Sequence, residues 1–194
     1  MQEAAPVGVG AMAALMGADV ATAGTLCREA LGNGLVVEVA NVNAPEQVVV
    51  AGHTQAVEQV VEMARARGVR RSVMLPVSAP FHCRLMQPAA ERLARELDRI
   101  AIAPPRFPVF RNVDARPYAG AHEVVSGLAA QVASPVRWVE CIQAMVRLGI
   151  HTFVEAGPGR VLTGLLKRIA GEAEGYAVGD SASIEKFLST AGVS

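Results

Sequence analysis

Between residues 10 and 77 the hydrophobic pattern changes period in a fixed order, and that order leaves few folds open. "GAMAALM", residues 10–16, is small and apolar throughout and reads as a buried strand. Asp19 offers an N-cap, and Val20, Ala23, Cys27, Ala30 and Leu31 then recur at helical spacing over about 20–31. Gly32-Asn33-Gly34 ends that helix. "LVVEVANV" sets Leu35, Val37 and Val39 on one face, Asn43-Ala44-Pro45 makes a turn, and "QVVVAG" follows as a second strand. Thr54 reads as the cap of a helix to about Arg67, with Ala56, Val57, Val60, Val61 and Ala64 facing inward and Gly68 ending it. "RRSVMLPV" is again a strand, stopping at Ser78.

The order β-α-β-β-α-β is the split β-α-β, ferredoxin-like pattern, complete within residues 10–77. The rest is organised differently. A helix of about 84–99 carries Met86, Ala90, Leu93, Ala94 and Leu97. "IAPPRFPVFRNV" approaches a short strand, Val109 to Val113, and a helix covers about 121–132. Ser134-Pro135 reads as an N-cap with proline at the first helical position, opening a helix that buries Trp138, Ile142, Met145 and Val146. "TFVEAG" is a strand, and "PGRVLTGLLKRIA" a helix with Val161, Leu162, Leu165, Leu166 and Ile169. "YAVGD" and a short helix near 183–190 close the chain. A parallel sheet of so few short strands is too small to stand alone, so this part reads as the tail of a larger sheet.

Charge narrows the function classes. Eighteen basic and eighteen acidic residues cancel, which argues against nucleic acid or an anionic membrane as partner. No apolar run reaches transmembrane length. Aromatic residues are only 4% of the chain, so aliphatic side chains must build the core. Cys27, Cys83 and Cys141 are odd in number and have neither metal nor redox spacing, which suits a reducing cytoplasm. "MQEAAPVGVG" has no basic, apolar leader pattern; it reads as the end of a helix entering a loop, as in a chain cut from a longer one.

His82, in "LPVSAPFHCRLM", is the sharpest candidate for chemistry. It sits where a strand hands over to a helix, the kind of corner that presents reactive groups. Against that stands the ordinary structural histidine: a base needs a nucleophile within reach, and no G-x-S-x-G elbow occurs here. Cys83 is adjacent, but a dyad between sequence neighbours is geometrically poor. Arg65, Arg67, Arg70 and Arg71 crowd a short stretch and suit phosphate, or equally a solvated helix end. Asn41, Asn43 and Gln47 bracket a strand-turn-strand and are as well explained by the turn as by a polar ligand. "GPGR" at 157–160 opens a helix without P-loop or dinucleotide spacing. His53, His122 and His151 are scattered, so no histidine metal cluster is expected.

Four long motifs carry a resemblance. "NVNAPEQVVVAGH", "RRSVMLPVSAPFHCRLMQPAAERL", "QVASPVRW" and "FVEAGPGRVLTGLLKR" occur in that order. Together they resemble the malonyl-CoA:acyl carrier protein transacylase family of fatty-acid synthesis, over essentially the whole chain. The resemblance implies the C-terminal part of an α/β-hydrolase-like acyltransferase domain plus a small ferredoxin-like (βαββαβ) subdomain. Residues 1–9 are then the tail of an N-terminal portion, 10–77 the small subdomain and 78–194 the C-terminal part of the large one. Family members carry a glutamine-rich oxyanion loop, a G-H-S-x-G elbow and a malonyl-binding arginine upstream of where this chain begins, and Met1-Gln2-Glu3-Ala4 resembles the stretch just after that arginine.

What the family implies for the residues is specific. His82 would take the proton of the absent serine and then that of the phosphopantetheine thiol. Gln131 matches the residue whose backbone carbonyl orients the histidine, so a change in its side chain should be mild. Phe81 resembles the malonyl-selective form, where a ring crowds an α-methyl branch. Asn43 and Gln47 match positions along the pantetheine path, and Arg70 and Arg71 a basic pair near the CoA phosphates. Malonyl-CoA and acyl carrier protein are the implied partners, in the cytoplasm and with no cofactor, metal, nucleic acid or membrane. As given, the chain should not transfer malonyl groups, since serine and oxyanion donors are missing. The alternatives are a non-catalytic module that binds CoA or carrier protein, and the acyltransferase of a polyketide pathway.

Overall fold

The computed structural model describes residues 6, 8–30, 32 and 34–191. Of the sequence expectations, Leu31 and Asn33 at the end of the first helix lie outside the described residues, as do residues 1–5 and 7 of the opening stretch. The protein is mixed α/β and divides into two compact units, Met1–Cys141 and Ile142–Ser194.

The first unit is built on four strands and two helices: β1 (Gly10–Met16), α1 (Val20–Glu29), β2 (Val37–Ala44), β3 (Gln47–His53), α2 (Thr54–Ala66) and β4 (Arg71–Met74). The strands lie in the order β2-β3-β1-β4, every neighbouring pair antiparallel. β1 is central because its small residues leave room on both faces. One face, with Ala11, Ala13 and Leu15 beside Val37, Val48 and Val50, is covered by Ala23, Leu26 and Cys27 of α1 and by Val57, Val60 and Val61 of α2. Each fully buried Leu or Val there contributes about 1.5–3 kcal/mol. Asp19 caps α1, its carboxylate accepting from the Thr22 N–H at 2.8 Å. The cap of α2 is His53, not Thr54: Thr54 is the first helical residue, and its hydroxyl donates instead to the Gly8 carbonyl.

The opposite face, with Met12, Ala14, Ala40, Val49 and Ala51, is covered by the chain after β4. Strand pairing stops at Met74 rather than continuing to Ser78. Leu75 still donates to Met12, but Pro76 has no N–H to carry the ladder on. The chain then crosses beneath the sheet, placing Cys83, Phe81 and Leu85 against that face. Arg84–Met86 form a 3-10 turn, and α3 (Gln87–Leu97) follows with Pro88 in its first turn. α4 (Val124–Val132) packs on α3 around Met86, Ala90 and Val132.

Two further expectations fail locally for identifiable reasons. No strand forms over 109–113; Phe110 makes only an isolated bridge to Pro117 in a region where Pro104, Pro105, Pro108 and Pro117 remove ladder donors. Ser134-Pro135 does not open a helix either. Residues there are extended because Val136 is recruited by the edge of β2, donating to Ala40 and accepting from Val42. The helix α5 (Trp138–Arg147) starts only afterwards, burying Val139, Cys141 and Ile142 while Trp138 is half-buried.

In the second unit β5 (Thr152–Ala156) and β6 (Glu174–Val178) pair in parallel through α6 (Val161–Ile169). α7 (Ser181–Ala191) follows, with Phe187 edge-on to Tyr176 at 5.1 Å between ring centroids. α6 turns Leu165 and Leu166 inward, whereas Val161 and Leu162 are exposed. Among the described residues no helix is long and apolar enough to cross a membrane.

Candidate active site

The turn that carries His82 is clamped from three sides. Pro80, fully buried, lies directly on Gly10: a Cβ at residue 10 would come within 2.4 Å of its ring. The Cys83 thiol donates to the Pro80 carbonyl at 3.1 Å. Arg84 is tied to Glu38 of β2 by its backbone N–H at 2.9 Å and its Nε at 2.5 Å. Between these anchors His82 has φ 62°, a left-handed conformation uncommon for a residue with a side chain. Such strain persists only where the surroundings over-determine it, and it clusters at functional sites.

His82 Nδ1 lies 3.0 Å from the backbone carbonyl oxygen of Gln131. That carbonyl is available for a sequence-level reason. Gln131 stands in the last turn of α4, and the N–H that would continue the helical ladder belongs to residue 135, a proline. A carbonyl can only accept, so Nδ1 is the donor; in the neutral ring this leaves the lone pair on Nε2, the arrangement a general base requires. The Gln131 side chain is held separately: its Nε2 faces the Ser134 carbonyl at 3.4 Å, and its Oε1 is buried with no partner among the described residues.

Cys83 does not compete for the role of nucleophile. Burial pushes its thiol up to about 11, and it is already committed to Pro80. Phe81 is half-buried and packs on both hydrophobic clusters that flank the turn. A groove of about 370 Å³ is lined by Arg84, Gln87, Glu91 and alanines of α3 and α4, with neither His82 nor Gln131 in its lining.

The other expected residues gather elsewhere, at one end of the same sheet. Gln47, Met16 and Arg71 are cross-strand neighbours on β3, β1 and β4, and so share one face. Gly17 donates to Glu46 in the β2–β3 turn and packs on Arg70, with φ +94°. Asn43 lies at an irregularity of β2 beside Ala44, which pairs with Gln47. This row is about 13 Å along β1 from Met12, in the cluster against which Phe81 and Cys83 pack. Of the arginine group, Arg65 donates to the Ser72 carbonyl and Arg67 pairs with Glu29, while Arg70 and Arg71 are exposed. Asn41 stands opposite Val136 in the backbone bridge that Ala40 and Val42 make.

The "GPGR" turn is not an open phosphate cradle. The Glu155 carboxylate fills it, accepting from the N–H groups of Leu162 at 3.0 Å and Thr163 at 2.8 Å and from the Thr163 hydroxyl at 2.7 Å. Those bonds, the Thr163 N–H first, hold its pKa below the ordinary carboxylate range. His53 is structural: its Nδ1 accepts from the Val36 N–H at 2.8 Å. Sequence reasoning missed the Glu38–Arg84 tie, since nothing in the spacing of residues 38 and 84 links them.

An acyl transferase domain family model matches residues 1–183. The malonyl CoA-acyl carrier protein transacylase of Escherichia coli O157:H7 is 46% identical over 169 residues, covering 87% of this chain and 54% of the relative. A crystal structure of malonyl-CoA:acyl carrier protein transacylase from Xanthomonas oryzae superposes with TM-score 0.94 at 40% identity, covering 97% of this chain and 60% of the other. A type II PKS acyl-carrier protein in complex with its malonyl-transacylase also superposes with TM-score 0.94, at 41% identity over 97% and 61%. The chain thus spans little more than half the length of the relatives it matches.

Proposed function

The chain belongs to the acyl transferase domain family, and on that footing we propose that it supplies the histidine half of a malonyl-CoA:acyl carrier protein transacylase. The observation that carries the reading is the 3.0 Å contact between His82 Nδ1 and the Gln131 carbonyl on a strained, triply anchored turn. In the proposed reaction a serine outside these 194 residues attacks the malonyl thioester carbonyl. His82 Nε2 takes the serine proton and returns it to the departing CoA sulfur. In the second half His82 takes the proton of the carrier's phosphopantetheine thiol, whose sulfur attacks the malonyl-serine ester. The serine oxygen leaves with that proton, and the malonyl group ends as a thioester on the carrier.

The remaining roles follow the same reading. Arg70 and Arg71 meet the CoA phosphates, Asn43 and Gln47 lie along the pantetheine arm, and the Phe81 ring excludes a branched acyl group. Their gathering at one end of the sheet whose Met12 cluster packs on Phe81 and Cys83 supports this. Residues 10–77 are the ferredoxin-like subdomain, supported by the strand order β2-β3-β1-β4, and 78–194 the C-terminal part of the hydrolase-like one, supported by the parallel β5–β6 pair. Three buried free cysteines support a reducing cytoplasm.

The test is transfer. The chain is joined to the serine-bearing segment of a relative and incubated with malonyl-CoA and phosphopantetheinylated carrier, and carrier mass is followed. His82→Asn, which tolerates the left-handed backbone, should slow transfer about 10²–10⁴-fold. Equal rates would refute the assignment. The exposed Arg70 and Arg71 favour one further reading, a module that binds CoA without chemistry. Calorimetry on the isolated chain decides it: no heat with CoA removes it.

A further inference from the structure

The Gln131 carbonyl can orient His82 only if α4 is held at the right height, and Gly127 of α4 rests on a part-buried charge cluster. Arg111 is only 15% exposed at its side chain. Its Nε and Nη2 donate to Asp114 at 3.1 and 2.6 Å, and its Nη1 to Glu123 at 3.1 Å. Glu123 is the residue from which α4 starts, and it also accepts from the Ala119 N–H at 3.0 Å. The guanidinium lies 5.3 Å from the centroid of the Tyr118 ring.

Gly127, one turn into α4, rests directly on this cluster. A Cβ there would lie 2.6 Å from Tyr118 Cε1 and 3.0 Å from Arg111 Cδ. The loop beneath is itself fixed. Arg111 donates to Arg116, Tyr118 to Val109, and Arg137 to Asn112, all through backbone N–H groups. α3 closes the other side through Met86, Ala90 and Val132. From Gly127 to Gln131 is about 6 Å of helix, so a shift at the first is passed to the second almost undiminished.

We infer that Arg111 is a positioning residue: with Tyr118 and Gly127 it sets the height of α4 and thereby the His82 tautomer. The inference rests on the reading of His82 as the base only for its purpose, not for its mechanics. A charge-neutral replacement of Arg111 leaves Asp114 and Glu123 facing each other half-buried and drives the start of α4 away. A methyl at Gly127 lifts the helix by about 1 Å, enough to carry a 3.0 Å contact out of hydrogen-bond range.

The experiment is long-range proton–nitrogen NMR of the histidine rings of the full chain, with His82 assigned by its loss in His82→Asn. The unsubstituted protein should show His82 protonated at Nδ1 and His53 protonated at Nε2, since His53 Nδ1 accepts from Val36. In Gly127→Ala and Arg111→Met the His82 signal should move toward the Nε2-protonated form while His53 stays unchanged. His53 reports whether the sheet is intact; if Arg111→Met loses it, Gly127→Ala decides alone. An intact His53 with an unmoved His82 in Gly127→Ala overturns the inference. The spectrum reads the ring whether or not it acts as a base, so failure here leaves malonyl transfer to its own assay.

Discussion

Gly10→Ala tests whether the His82 turn is held by contact with β1. Gly10 is the first residue of β1, and its backbone is not in the left-handed region, so an added methyl brings no conformational strain of its own. It does bring overlap. The new Cβ would lie 2.4, 2.5 and 2.9 Å from Pro80 Cγ, Cδ and Cβ, where carbon atoms in contact sit about 3.5–4.0 Å apart. Pro80 is rigid and fully buried, so it cannot rotate away. Either the turn or the strand must move by about 1 Å. Overpacking of this kind costs about 1–3 kcal/mol, and the stiffer unfolded chain offsets it by about 0.4–1. The net loss of about 1–2 kcal/mol lowers the melting midpoint by about 2–4 °C for each kcal/mol. Gly24→Ala is the matched control. It sits inside α1 with only the end of Arg28 at 3.5 Å, and should raise the midpoint through helix propensity worth about 0.8–1.0 kcal/mol. Differential scanning calorimetry of the pair gives the answer. A Gly10→Ala midpoint at or above that of the unsubstituted chain would show that Pro80 does not bear on β1, and the account of the turn would fail.

Burial raises the thiols of Cys27, Cys83 and Cys141 to about 12, 11 and 11. The folded state therefore holds these protons longer than the unfolded one, so stability should be full below about pH 9 and decline from there toward 11, read as a falling melting temperature. At pH 8 iodoacetamide should alkylate none of the three until denaturant is added, checked by mass. Glu155 has the opposite sign: its pKa is lowered, so its contribution is present above the ordinary carboxylate value and is lost as pH falls below it. Glu155→Gln should flatten the acid limb of the stability profile, and an unchanged limb would exclude the carboxylate as the cap of α6. Arg71→Ala should weaken CoA binding about 2–5-fold at low salt and reduce its salt dependence, measured by calorimetry.

The sequence alone determined the elements whose physics is local. The β-α-β-β-α-β order over residues 10–77 follows from periodicity, and α1 begins where Asp19 can cap it. The Gln131 carbonyl was singled out by the family resemblance alone; that Pro135 has no N–H to take it up is a local fact whose meaning shows only once His82 is seen beside it. Local signals misled where a distant partner took the backbone. Ser134-Pro135 has the chemistry of a helix start, yet the open edge of β2 claims Val136 and delays α5 to Trp138. Only tertiary structure brought His82 and Gln131, Arg84 and Glu38, and Gln47 and Arg71 together, since each pair is joined by crossovers whose direction no spacing encodes. It also emptied "GPGR" of its apparent promise, by turning Glu155 back into the helix start. Capping, period and proline act over a turn or two of chain and are written residue by residue. Register and packing depend on which surfaces meet, and that is decided when the sheet closes.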